Sequence, residues 1–317
     1  MKKRLYYLMC GILGVMVLLL IFIPSHTRAQ TAPQEINIVT GSEAGEYYAI
    51  ARDLEEFALQ SNLDLDIDVI PTRGSLQNIH DVFEYKSVPL GIAQSDVLAF
   101  LNTFANNDEE VRRQAEALRV VLPLYDEQVH LITRGDINSV EELSGKRISI
   151  SSSGSGTSLT ATTLMYQLEI NPGELLTLEV KKAIEALRQE EIDAMFYVVG
   201  IPAKVLIEEI TPEDNFQILP IALPPQPDDE FLSRLYTQAT LSAETYPWQK
   251  ESVETLAVKS LLFTVVEEEC ENVTPVANLI QENLSWLQEN GDPVWKGVNR
   301  ENLSQIEAER VSQCSAF

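Results

Sequence analysis

The sequence predicts an α/β protein of two lobes with a binding cleft between them, and three observations carry that expectation. First, Ile36 to Leu54 reads as a strand, a loop with glycines at 41 and 45, and a helix with Tyr47, Ile50, Ala51, Leu54, Phe57 and Ala58 at helical spacing. Second, this design recurs further along, at Pro71–Ile79, Leu90–Phe104 and Lys146–Leu168. Third, 317 residues with 45% apolar and 22% charged side chains suit about two globular units. A strand leading straight into a helix aims the free amides of that helix at the loop, which favours an anionic or hydrogen-bond-accepting ligand.

In chain order, the first segment is a targeting one. Lys2, Lys3 and Arg4 precede an apolar run from Leu5 to Ile23, and Thr27-x-Ala29 is a passable small-residue cleavage site. The run is almost long enough to span a bilayer, so residues 1–29 are a cleaved signal or an anchor, and the remainder is exported to the periplasm. Cys10 lies within the run as an apolar residue. Export makes Cys270 and Cys314 an expected disulfide, worth about 4 kcal/mol by chain entropy. His80 and His130 stand at no metal-ligand spacing with them, so no metal is expected.

The alternation of Leu63–Val69 predicts a half-buried strand, parallel to the one at 36–39. Ser75 is placed to cap a helix burying Leu76, Ile79 and Phe83. Leu90–Gln94 is a strand ending in Gln94-Ser95-Asp96 at a helix start. Three strands thus deliver polar residues at their carboxyl ends, where open α/β sheets bind ligands. Leu118–Leu124 is a fourth strand, with a crossover near Tyr125. Ser139–Glu142 has capping-box spacing before a helix end at Gly145. Lys146–Ser151 is a strand running into Ser152–Ser158 and a helix burying Ala161, Leu164, Met165 and Leu168. A helix over 180–189 and a strand over 192–199 follow, and Gly200-Ile201-Pro202 opens another helix. After a strand at 216–221, Leu223–Pro227 reads as a stiff return linker. Val258, Leu261, Leu262 and Val265, then Ala277, Ile280, Leu284 and Leu287, suggest helices packing back on the first lobe. The expected divisions are 34–124 with 228–317, and 125–227.

A net charge of −25 argues against nucleic acid and anionic membrane surfaces as partners. Gly154-Ser155-Gly156 is not a nucleophile elbow, no nucleotide-phosphate or dinucleotide loop occurs, and Glu190-Glu191 reads as a solvated face. What remains is a set of small polar side chains, tyrosines and backbone amides, the profile of a binding cleft in a protein that is not an enzyme.

These residues resemble a known family. Thr40-Gly41-x-x-x-Gly45-x-Tyr47-Tyr48, Gly74-Ser75-x-x-Asn78 and Leu90–Asp96 are similar to motifs of the TAXI solute receptors of TRAP transporters. So are Leu124-Tyr125-x-Glu127-x-Val129-His130-Leu131, Gly154–Thr157 and Ile192–Gly200. The likeness spans roughly 35–225 in order. It departs at Arg73, where the family has small residues, and at Ser42, where it has glycine. Arg73 either selects the ligand or points away from the cleft.

The resemblance implies a type II periplasmic-binding-protein fold closing around a small anionic solute, a carboxylate or amino-acid-like compound, which is handed to TRAP membrane subunits. It places Thr40, Gly41, Ser42, Tyr47, Arg73, Ser75, Gln94, Ser95 and Asp96 on one wall. Gly154, Ser155, Gly156, Thr157, Tyr197 and Gly200 form the other. Tyr48 and His130 are expected to be packing residues. No cofactor is implied, and a monomer is expected. The rival readings are a receptor of the same fold serving a signalling partner and an exported hydrolase using Ser155.

Overall fold

The computed structural model describes residues 33–104, 108–222, 230–266, 268–299 and 306–315. The leader at 1–29 and the linker at 223–227 lie outside the described residues. Among the described residues, no helix is long and apolar enough to cross a membrane.

The first half alternates strand and helix and ends in two helices: β1 (Gln34–Val39), α1 (Glu46–Gln60), β2 (Leu65–Ile70), α2 (Ser75–Glu84), β3 (Leu90–Gln94), α3 (Ser95–Phe104) and α4 (Glu109–Ala117). β1 pairs in parallel with both β2 and β3, as the βαβ pattern requires. The second half follows: β5 (Arg147–Ser149), α5 (Gly156–Gln167), β6 (Glu174–Leu176), α6 (Val180–Arg188), β7 (Ala194–Val199), α7 (Lys204–Glu209) and β8 (Phe216–Ile218). Here β5 pairs in parallel with β6 and β7.

Two long strands join the halves. β4 (Leu118–Arg134) runs without interruption from the first half into the second. β10 (Val253–Val265) returns antiparallel to it, after α8 (Glu230–Leu235) and β9 (Thr237–Leu241). The ladder runs β2-β1-β3-β10-β4-β7-β5-β6, with β8 on β4 and β9 on β10. α9 (Cys270–Glu282) and α10 (Leu284–Asn290) then pack on the first half. Each half has its own buried apolar clusters. Ile36, Ile38, Leu54, Ile67, Ile92 and Trp295 pack together in the first half, and Leu131, Ile148, Leu164 and Phe196 in the second.

Several expectations shift. The apolar spacing at 258, 261, 262 and 265 belongs to β10, not to a helix. A strand buried between two neighbours reads as a continuous apolar run, which periodicity alone does not separate from a buried helix. Leu232, Tyr236, Leu241, Tyr246, Trp248, Leu256 and Val258, read with the first lobe, pack in the cores of the second half. The capping box at Ser139 does not form; residues 140–143 are a single 3-10 turn without a side-chain cap. Pro202 precedes α7, whose cap position is Ala203. Cys270 and Cys314 are joined, closing an interval of 44 residues.

Candidate functional site

The carboxyl ends of β1, β3 and β7 and the helices that follow β1, β2 and β5 surround one cavity of about 130 Å³. Lining residues from the first half include Gly41, Ser42, Glu46, Tyr47, Arg73, Ser75 and Gln94. The second half contributes Ser151, Ser152, Ser155, Gly156, Thr157, Glu179 and Tyr197, and the middle of β4 supplies Tyr125 and Glu127.

The walls are held by local polar bonds that follow from the turn residues. Gly74 caps α2 at φ +112°, a conformation open to glycine at little cost. Ser75 is therefore the first helical residue rather than the cap, and its hydroxyl instead accepts from the Gln94 amide at 3.2 Å. Asn78 donates to the carbonyls of Thr40 and Ile92, tying the ends of β1 and β3 to α2. In the second half Ser155 caps α5, its Oγ accepting from the Ser158 amide at 3.1 Å. Gly156 sits so close to Gln94 and Ser75 that a Cβ there would overlap both side chains. The two walls meet directly, and the Leu76 amide donates to the Gly154 carbonyl at 3.1 Å.

The floor is acidic. Glu127 is buried, with Oε1 accepting from the Tyr47 hydroxyl at 2.7 Å and Oε2 from the Gln94 amide group at 2.6 Å. Burial pushes its carboxyl up to about 7 despite those donors. Glu46 opens α1, and its Oε2 accepts from the Gly200 amide at 2.8 Å, across from the other half. Burial and the charge of Glu127 raise its carboxyl well above the ordinary range. Glu46 Oε1 and Gln94 Oε1 are buried without a partner. Arg73 is exposed at the mouth, its Nε bonded to Gln77 Oε1 at 3.1 Å, and is the sole cation among the described lining residues.

Of the fifteen residues expected at the site, Gly41, Ser42, Tyr47, Arg73, Ser75, Gln94, Ser155, Gly156, Thr157 and Tyr197 line the cavity. Thr40 lies behind it and contributes its carbonyl to Asn78 and Thr72. Ser95 Oγ accepts from the Lys259 amide, and Gly154 and Gly200 serve through their backbones. Asp96 is buried away from the cavity, accepting from Thr160 at 2.6 Å and Tyr236 at 3.2 Å. His130 is a packing residue, held by the Gln128 carbonyl and the Tyr246 hydroxyl, and burial lowers it to about 4. Sequence reasoning missed Glu46 and Glu127 as site residues. Both lay within the motifs above, and the signal was available in Glu127, a carboxylate on the strand face shared by Tyr125 and Val129.

A family model described as the NMT1-like family matches residues 38–309. The chain belongs to the NMT1-like family. Among solved structures, the periplasmic binding protein BugD is similar at 14% identity and a TM-score of 0.53, over 83% of this chain and 84% of that one. A periplasmic transporter is similar at 14% identity and 0.52, over 81% and 87%. A Xanthomonas citri protein bound to ATP is similar at 10% identity and 0.50, over 82% and 85%. The fold is thus a type II solute-binding fold: two α/β halves, two connecting strands and a cleft between them.

Proposed function

We propose that this NMT1-like protein is an exported receptor that binds a small carboxylate or amino-acid-like solute in the cleft and delivers it to a TRAP-type membrane transporter. The observation that carries the reading is the small cavity lined by residues of both halves, with the N-termini of α1, α2 and α5 around it and Arg73 at its mouth. Each helix N-terminus is worth roughly 0.3–1 kcal/mol to a nearby anion. Delivery to a TRAP partner is supported by the likeness of its motifs to TAXI receptors.

Export is supported by the basic and apolar leader, by the Cys270–Cys314 disulfide and by the fold shared with periplasmic binding proteins. A binding role without catalysis is supported by the commitment of Ser155 to capping α5 and of His130 to Gln128 and Tyr246.

The test is a melting screen with small carboxylates and amino acids. A ligand at 100 times its Kd adds about 2.7 kcal/mol of stability. A screen in which none of them raises the melting temperature removes this reading.

A further inference from the structure

Two carboxyls of the first half reach across to the second, and each does so with one oxygen only. Glu46 Oε2 accepts from the Gly200 amide at 2.8 Å. Asp96 Oδ2 accepts from the Thr160 and Tyr236 hydroxyls at 2.6 and 3.2 Å. The other oxygen of each, Glu46 Oε1 and Asp96 Oδ1, is buried with no hydrogen-bond partner. Glu127 offers the contrast, with a donor on each oxygen and both donors in the first half. An ionised carboxylate spreads its charge over both oxygens, so a bare buried oxygen is costly. A neutral carboxyl keeps one oxygen as an acceptor and carries its proton on the other, so it makes the same bonds across the cleft without that cost. Parting the halves removes the donors and admits water, which favours the ionised form.

We infer that Glu46 and Asp96 form a proton-taking catch across the cleft, so that the halves close more tightly as the pH falls. The catch acts on closure itself, whatever the class of solute. A carboxyl that holds its proton more tightly in the closed arrangement than in water favours closure below its raised value, and that contribution is lost as the pH rises through it.

The surroundings of both groups act in that direction. Burial pushes the Asp96 carboxyl up to about 6, opposed by the Thr160 and Tyr236 hydroxyls and by the amides of Asp96 and Val97 at the start of α3. Its charged neighbour is Glu127 on β4. Burial, then the charges of Glu127 and Asp292, raise Glu46 well above the ordinary range, and the Gly200 amide opposes them. Tyr125 on β4, Tyr197 on β7 and Tyr246 also face Glu46. Glu43, Glu208, Lys181 and Lys204 line a second cavity that Glu46 shares, and its two lysines are paired with Glu209 and Glu208. Lys259 on β10 is paired with Asp126.

The experiment is amide hydrogen exchange on the purified full chain from pH 8 to pH 5, with rates corrected for the intrinsic pH dependence of exchange. The Leu76 amide bonds to the Gly154 carbonyl of the other half and touches neither carboxyl, so its protection reads closure. The Thr40 amide bonds to the Ile70 carbonyl within the first half and reads unfolding. Leu76 should be less protected than Thr40 at every pH, and its protection should rise by about tenfold or more between pH 8 and pH 5. Glu46→Gln combined with Asp96→Asn keeps an acceptor at each position and cannot titrate, so it should remove most of the rise. Glu127→Gln should keep most of it. Leu76 protection that does not rise in acid, that matches Thr40 throughout, or that loses its rise in Glu127→Gln overturns the inference, and these results stand even where the double variant does not fold. A folded double variant with the full rise overturns it as well.

Discussion

Two buried carboxylates, Asp96 and Glu127, stand near the junction of the halves and are used differently. Asp96 starts a helix of the first half and accepts from Thr160 and Tyr236, both in the second. Glu127 stands midway along β4 and accepts from Tyr47 and Gln94 of the first half, in a cavity wall. Burial raises both, to about 6 and about 7. What separates them is where their donors come from. A carboxylate whose donors span the junction holds the halves in register. One whose donors all lie on one side keeps capacity for something that enters the cleft. Glu46 is intermediate: one oxygen bonds across to Gly200 and the other is unpartnered.

Substitution at Asp96 breaks the comparison most strongly. Asp96→Ala removes the acceptor of two buried hydroxyls, each worth about 1–3 kcal/mol, so a stability loss of about 2–6 kcal/mol is expected in urea unfolding. A loss below 1 kcal/mol would mean that the bonds across the junction carry little.

Next comes the pH dependence of Glu127. Its folded carboxyl protonates near 7 and an unfolded one near 4.5, so the folded state binds the proton more tightly. Stability is therefore greatest below about pH 4.5 on account of this group and falls as pH rises to 7, by about 3 kcal/mol in all. Glu127→Gln should flatten that part of the stability–pH curve and be the more stable protein at pH 8. An unchanged slope would show that Glu127 stays ionised.

A smaller effect is expected of Thr160→Val, which deletes one of the two donors to Asp96 at nearly constant volume. It should cost about 1–3 kcal/mol in melting experiments. Arg73→Ala should be nearly silent in stability, since the side chain is exposed and contacts Gln77. It should weaken a carboxylate solute by tenfold or more; unchanged affinity would assign Arg73 to the surface.

Much of the frame was legible in the residues. The βαβ unit at 34–70, the helix starts after the strand ends at 39, 94 and 149, and the buried face of α1 follow from local patterning that packing did not override. Ten of fifteen proposed site residues line one cavity, because strands of one direction bring their carboxyl ends to one edge. Less legible was β10, whose apolar spacing fits a strand and a helix equally. It is a strand because β3 and β4 both offer it hydrogen bonds. Ser75 was legible as a helix start, but its hydroxyl reaches Gln94 because Gly74 takes the cap position.

By itself the sequence determined an α/β chain with glycine-bearing strand ends, a basic apolar leader, two cysteines able to pair, and motifs similar to those of TAXI receptors. These are properties of neighbouring residues or of composition, and local sterics and hydrophobic periodicity suffice to produce them. Only the tertiary structure decided that Glu127 faces the cleft and Asp96 does not. Asp96 precedes Val97 and Glu127 stands between Asp126 and Gln128, and neither setting says which donors its carboxylate meets. Their roles depend on which donors the returning strands and the opposite half bring within reach, and on how far burial then favours the proton.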